Sequence, residues 1–199
     1  MKSIVQQHGE PPAWQRPEGF STLLHIILEQ QVSLASARYA FERLCERLPE
    51  LTPEAFLTLT DAELKTIGFS RQKTGYGRAL ARALKNGELN LEALNELPGE
   101  AANAQLTRVK GVGPWTANIY LLMALGRPDV WPPGDLALAT SAKNVKGLAA
   151  RPSQEALAAL AGQWRPYRSY AARLLWHHFV ASLPVALKRS YFTNSSANG

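Results

Sequence analysis

The 199-residue chain holds one cysteine, Cys45. A single thiol excludes an internal disulfide, the four thiolates of an iron–sulfur cluster and a cysteine pair for structural zinc, and it makes a reduced, cytoplasmic setting the default. No stretch approaches the roughly 20 consecutive apolar residues of a membrane span. The opening residues 1–17 are polar and proline-marked, without the apolar centre of a signal peptide, so a soluble protein with no membrane partner is expected. Alternating apolar and polar residues bounded by hairpin dipeptides are missing, which argues against strands, and no internal repeat or low-complexity block is evident. Aspartate is scarce and occurs only at 61, 129 and 135.

The chain is otherwise an ordinary globular one, with 46% hydrophobic and 19% charged residues, of a length that suits one domain or two small lobes. Lysine and arginine number 22 against 16 acids, a net charge of +6 that favours a polyanionic partner. Helical periodicity dominates. Leu23, Leu24, Ile26, Ile27 and Leu28 form a short helix, capped by Ser21 and apolar nearly all round, which predicts a place in the core. Ser33 caps a helix carrying Leu34, Ala37, Phe41 and Leu44, closed by Pro49. Thr52 with Pro53, and Thr60 with Glu63 at capping-box spacing, start two short helices. Tyr76 to Leu84 make the next, ended at Gly87, with Arg78, Arg82 and Lys85 on its outer side as a solvated face or a DNA stripe. Leu91, Leu94 and Leu97 suggest a short helix. Segments 101–109, 114–125, 135–145, 153–163 and 166–182 complete an all-α chain, and the polar residues 190–199 should fray.

The richest segment is 106–122, in which two helices are joined by Lys110, Gly111, Val112 and Gly113. Glycines at both ends of the link can take backbone angles closed to other residues, and they leave no Cβ in the way of an approaching ligand. Pro114 stands in a first helical turn, where its missing N–H costs nothing and the remaining N–H groups form an anion site that suits a DNA phosphate. A plain helix connection with a glycine stop reads equally well from the spacing.

The run Val109-Lys-Gly-Val-Gly-Pro-Trp-Thr-Ala, with the proline and glycine loop ending in Asp135, resembles the helix-hairpin-helix DNA glycosylase superfamily, and within it the AlkA-like alkyladenine glycosylases. The likeness extends to the leading segment 20–33 (FSTLLHIILEQQVS) and the trailing segment 165–177 (RPYRSYAARLLWH). It implies a two-lobed all-α fold with the active-site cleft between lobes. One lobe would span 20–130 with the hairpin at about 106–125, the other 1–19 plus 131–190, and 191–199 would be a flexible tail. The larger family members carry an N-terminal β-domain with no counterpart here.

By the same resemblance Asp135 matches the catalytic aspartate. A helix N-terminus favours the ionised carboxylate, which is suited to stabilising the positive deoxyribose of a departing base. Read without the family, it is an N-cap. Trp115, Trp176, Gln30, Ile119 and Trp131 would line the base pocket, the indoles favouring a cationic alkylated purine, although core packing is the commoner fate of any one tryptophan. Ile119 departs from the aromatic of the best-known relatives. Gln31 aligns with the side chain that plugs the DNA, and Lys110, Gly111, Val112, Gly113 and Thr116 with the phosphate grip. The hairpin would hold a structural Na⁺ or K⁺ through the carbonyls of Thr107, Val109 and Val112, and no cofactor is required. Trp115 stands where strand-cutting relatives have a Schiff-base lysine, which implies a monofunctional enzyme. His177 and His178 are adjacent on a helix without a second ligand pair, so zinc is not expected. The expected activity is hydrolysis of the N-glycosidic bond of alkylated purines (3-methyladenine, 7-methylguanine) in double-stranded DNA by a monomer, in base excision repair. The alternatives are a non-enzymatic helix-hairpin-helix DNA-binding module and a glycosylase for oxidised or mismatched bases.

Overall fold

The computed structural model describes residues 1–185 and 188, and the expected tail at 191–199 lies outside the described residues. Among the described residues all regular structure is helical: α1 Lys2–His8, α2 Phe20–Glu29, α3 Leu34–Arg47, α4 Pro53–Thr58, α5 Asp61–Thr66, α6 Arg71–Lys85, α7 Gly99–Thr107, α8 Pro114–Met123, α9 Leu136–Lys146, α10 Gln154–Gly162 and α11 Arg168–Ser182. The chain divides into two compact units, one of residues 16–125 and one of 1–15 with 126 onward. These breaks fall a few residues before the expected 19/20 and 130/131, for a visible reason. Arg16 donates its main-chain N–H to Met123 and its guanidinium to Glu29, and Gly19 N–H reaches Tyr120 Oη at 3.0 Å, so 16–19 belong with α2 and α8. Asp129 and Val130 are tied instead to Arg168 and Ser169 of α11.

In the unit of 16–125, α2 is central, as its all-round apolar surface demands, and it packs against α3, α6 and α8. Leu23, Leu24, Ile26 and Ile27 are fully buried with Phe56, Leu64, Leu80, Leu106 and Tyr120, each such side chain contributing about 1.5–3 kcal/mol by leaving water. Gly77, midway along α6, lets α4 close in: a Cβ there would lie 2.8 Å from Cζ of Phe56. Local caps form where their chemistry calls for them. Ser33 accepts from Ser36 N–H, Thr52 from Ala55 N–H, and Thr60 with Glu63 makes the full capping box. Several boundaries differ from the sequence expectation, among them α7, Gly99–Thr107 against 101–109. Gly19, not Ser21, precedes α2. Ser70 caps α6 six residues before Tyr76. The leucines at 91, 94 and 97 bracket a 3₁₀ turn, Glu92–Glu96, since five residues before Pro98 leave no room for α-helical bonding.

In the unit of 1–15 and 126 onward, α11 packs on α9, α10 and α1. The polar start of the chain contains a helix that its weak pattern hid. α1 buries only Ile4 and is fastened through His8, whose ring lies 5.9 Å from that of His177 and 5.5 Å from that of His178, while His177 Nε2 meets His8 O at 2.9 Å. The closing helix starts at Arg168 rather than Pro166, Tyr167 lying outside helical conformation, and its first amides, free of intrahelical partners, serve the proline loop: Arg168 N–H reaches Asp129 Oδ1 and Ser169 N–H reaches Pro128 O. No helix among the described residues is long and apolar enough to cross a membrane.

Candidate functional site

The hairpin of α7 and α8 shows that its two glycines do different work. Gly111 has φ +95°, the left-handed region that other residues avoid, and a Cβ there would lie 2.2 Å from Cγ of Tyr76 on α6. Its lack of a side chain admits a neighbouring ring, not a ligand. Gly113 has φ −84° and nothing within 4 Å of a Cβ position, so it needs no special angle, contrary to the expectation, and its face is open. Pro114 begins α8, and the first intrahelical bond is Ala117 N–H to Gly113 O at 2.9 Å, which leaves the main-chain N–H of Thr116 ahead of the ladder. Lys110 is exposed beside it. The side chains of Val112 and Thr116 are turned inward, Thr116 to 1% exposure. Val112 N–H is given to Val109 O at 3.0 Å, so of these two residues the main-chain N–H of Thr116 is the donor left for a phosphate, its hydroxyl being engaged elsewhere.

That hydroxyl is spent on Gln30, which closes α2. Gln30 donates both Nε2 hydrogens, to Gly111 O at 2.8 Å and to Thr116 Oγ1 at 2.7 Å, binding the α2–α3 turn to the hairpin. The base-edge contact expected of Gln30 is left to its Oε1 alone. Gln31 follows at φ +57°, a left-handed non-glycine residue, with its side chain exposed next to the half-exposed Val32. Trp115 is half-buried in the first turn of α8. Ile119, one turn on, is buried in the core, where an aliphatic side chain packs without a polar partner.

Asp135 lies in the other unit. The loop from Gly126 to Gly134 turns at both glycines, with φ +62° and +73°, and is stapled down by Arg168 against Asp129 at 2.7 Å and by Ser169 against Arg127 O and Val130 N–H. It delivers Asp135 to the N-cap of α9, where Oδ1 accepts Leu138 N–H at 2.9 Å. The residue is 9% exposed. Cap and candidate carboxylate are thus one geometry: the main-chain bond orients the group in a buried setting. Trp131 is buried in the same loop with its ring 5.6 Å from that of Trp164, an aromatic pair of the core, while Trp176 on α11 is half-buried with Trp14 edge-on at 6.4 Å.

A family model described as HhH-GPD superfamily base excision DNA repair protein matches residues 24–166, which takes in the α2–α3 turn, the hairpin, the proline loop and Asp135. The chain belongs to the HhH-GPD superfamily. Among its relatives, a DNA-3-methyladenine glycosylase of Bacillus subtilis is 28% identical over 80% of this chain and 57% of its own length. DNA-3-methyladenine glycosylase 1 of Schizosaccharomyces pombe is 26% identical over 87% of this chain and 78% of its own. The chain spans 57 and 64% of the length of two B. subtilis relatives. Among solved structures, the S. pombe 3-methyladenine DNA glycosylase Mag1 in complex with abasic DNA superposes with a TM-score of 0.83 at 25% identity, over 92% of this chain and 91% of that one. A DNA-3-methyladenine glycosidase of Bacillus halodurans gives 0.72 at 27% identity over 89 and 88%.

For this HhH-GPD chain, sequence reasoning missed two sets of residues that hold the site. Arg168, Ser169 and Asp129 anchor the loop before Asp135, and the Arg168 guanidinium keeps the Asp129 carboxyl below the usual carboxylate range. Lys73 is buried under the α2–α3 turn. The signal for it was a lysine at helical spacing with Gly77 and Leu80, on the face of α6 that is buried. Arg78, expected on an outer stripe, is instead clamped to Asp61 at 2.6 Å and to Leu59 O. For the expected cation, the uncharged main-chain oxygens of Thr107, Val109 and Val112 suit Na⁺ or K⁺ in chemistry; Val109 O already accepts Val112 N–H at 3.0 Å and keeps its second lone pair. Among the described residues no group of three or more His, Cys, Asp or Glu side chains could hold a metal.

Proposed function

We propose that this chain is a monofunctional DNA glycosylase that extrudes alkylated purines of the 3-methyladenine and 7-methylguanine type from double-stranded DNA and hydrolyses their N-glycosidic bond, as a monomer, in base excision repair. The observation that carries the reading is Asp135, a buried carboxylate held by the first turn of α9 at the end of a stapled loop, within the matched family region. As the bond between C1′ and the purine breaks, its electron pair passes to the base and cancels the positive charge that alkylation placed there. The purine leaves neutral, and no general acid is needed. The sugar becomes cationic, and a preorganised anion stabilises that state more than the substrate. Water then adds to C1′ and loses its proton to Asp135 or to solvent.

A cationic purine is selected by indole faces, each cation–π contact contributing about 0.5–2 kcal/mol. Trp115 and Trp176 serve here, with Trp131 given over mainly to Trp164. Gln31 fills the space left in the duplex, the main chain from Lys110 to Thr116 takes a phosphate, and the oxygens of Thr107, Val109 and Val112 would hold a monovalent cation, which would supply further positive charge toward the DNA backbone. Trp115 cannot form a Schiff base, which supports the absence of strand cleavage.

The test is release of methylated bases from a methylated duplex, identified by chromatography. Asp135→Asn should slow single-turnover release by at least about 10²-fold and leave the melting temperature nearly unchanged, because asparagine caps a helix as well as aspartate. Undiminished release by this variant refutes the catalytic assignment. Duplex binding without release from any lesion identifies a binding module. A borohydride-trapped covalent adduct refutes the monofunctional assignment.

A further inference from the structure

A buried cation sits behind the α2–α3 turn with no part in the chemistry above. Lys73 of α6 is 8% exposed, and its Nζ donates to three main-chain oxygens, those of Ile27, of Leu28 at 3.2 Å and of Gln30 at 2.8 Å. They belong to the C-terminal end of α2, where carbonyls lose their helical partners and the helix dipole is negative. Helices commonly end there on a left-handed glycine. This one instead passes through Gln30 in extended conformation to the left-handed Gln31, a strained choice that persists only when its surroundings enforce it. From Gln30 the connection continues to Gly111 O and Thr116 Oγ1. Tyr76, on the same helix as Lys73, lies directly against Gly111.

We propose that Lys73 is a positioning residue for base extrusion, its ammonium locking the Gln30–Gln31 turn so that the plugging side chain and the hairpin's hold on the backbone move as one piece. The proposal rests on the glycosylase reading for its purpose. The coupling itself is measurable without it.

Charge supplies a readout that a merely structural lysine would not give. Burial pushes the Lys73 ammonium down to about 8, with Glu29 acting in the opposite direction. Glu29 is itself bridged to Arg16 at 2.8 Å and faces His25 at 3.8 Å, and burial lowers His25 to about 4, so His25 stays neutral throughout the alkaline range. Because the folded value lies below the unfolded one of about 10.4, the unfolded chain binds more protons between these limits, and this group's contribution to stability rises with pH across them. Over the same interval the clamp weakens, since a neutral amine has two hydrogens for three carbonyls. Positioning and stability therefore move in opposite directions.

In the full chain, Lys73→Met should raise amide hydrogen exchange at 30–33 and 108–113 together. It should slow release from a methylated duplex by about 10- to 100-fold, the scale of a small misplacement of reacting groups, with affinity for undamaged duplex within about twofold. Wild-type release should decline as pH rises through about 8 with no loss of melting temperature, and Lys73→Arg should keep most of the activity and carry it to higher pH. Unchanged exchange at 108–113, or an alkaline decline identical in wild type and Lys73→Arg, overturns the proposal. If Lys73→Met does not fold, Gln30→Met severs the hairpin link: exchange must rise at 108–113, and unaltered exchange there overturns the proposal. Should the wild type release no methylated base, the glycosylase reading fails, and exchange in the same variants still decides the coupling.

Discussion

Replacing either hairpin glycine with alanine gives opposite outcomes. At Gly111 the added Cβ would meet Tyr76 at 2.2 Å from Cγ and 2.5 Å from Cβ, atoms close to the α6 backbone that cannot swing aside. Overpacking of this kind costs about 1–3 kcal/mol, and an L-residue at φ +95° adds about 1–2 kcal/mol of backbone strain. The sum, about 2–5 kcal/mol, is a large share of the ~5–15 kcal/mol that holds a typical domain folded. At about 2–4 °C per kcal/mol for a chain of this size, Gly111→Ala should melt about 4–20 °C below wild type. Gly113→Ala meets nothing within 4 Å at φ −84°, and the gain of about 0.4–1 kcal/mol from a less flexible unfolded chain is offset by alanine's poorer fit at the N-cap of α8, so its stability should stay within about 1 kcal/mol of wild type. Its cost should fall on DNA: the methyl group stands at the open N-terminus of α8, and affinity for duplex should drop about 3- to 10-fold, roughly one phosphate contact. Thermal melts followed by circular dichroism and duplex binding by fluorescence anisotropy read the two effects separately. A Gly111→Ala protein melting within about 2 °C of wild type would refute the packing of hairpin on Tyr76, and a Gly113→Ala protein with undiminished affinity would refute the phosphate site.

Two further outcomes follow from buried rings. His25 stacks on Phe41 at 4.1 Å and burial lowers it to about 4, so the unfolded chain takes up a proton near 6.5 that the folded chain refuses until about 4. That stability is present above pH 6.5 and fades toward pH 4. Between pH 7 and 5 it amounts to about 2 kcal/mol, and His25→Phe, which keeps the stack, should remove this slope in urea denaturation; an unchanged slope would count against it. Trp131→Ala should cost about 3–5 kcal/mol because it empties the packing against Trp164. The half-buried Trp176 should cost less in stability when changed to alanine and more in release of methylated bases, and the reverse order in melting and release assays would exchange the roles of these two indoles.

Short-range physics made much of the molecule legible from residues alone. Ser33, Thr52 and Thr60 cap where a hydroxyl can reach an amide three residues ahead, and α2 is buried because it presents no polar face. Asp135 was legible as an N-cap for the same reason, a carboxylate between a turn-forming glycine and a helix start, while its candidate catalytic role came from the family likeness alone. Helix bounds were less secure where the ends are held by partners far along the chain, as at α11, whose first amides, free of helical partners, go to Asp129 and Pro128. α1 escaped notice because a helix with one buried residue has almost no periodicity to detect.

The amino-acid order by itself determined the helical class, the hairpin and its proline-led helix, all consequences of contacts spanning a few residues, and its motifs carried the likeness to the family. Only the tertiary structure decided that Gly111 serves Tyr76 while Gly113 faces outward, that Gln30 and the Thr116 hydroxyl are occupied with each other, and that Lys73 lies beneath the turn they hold. Each of these depends on which atom of a distant helix arrives within a few ångströms, and no spacing along a chain carries that information.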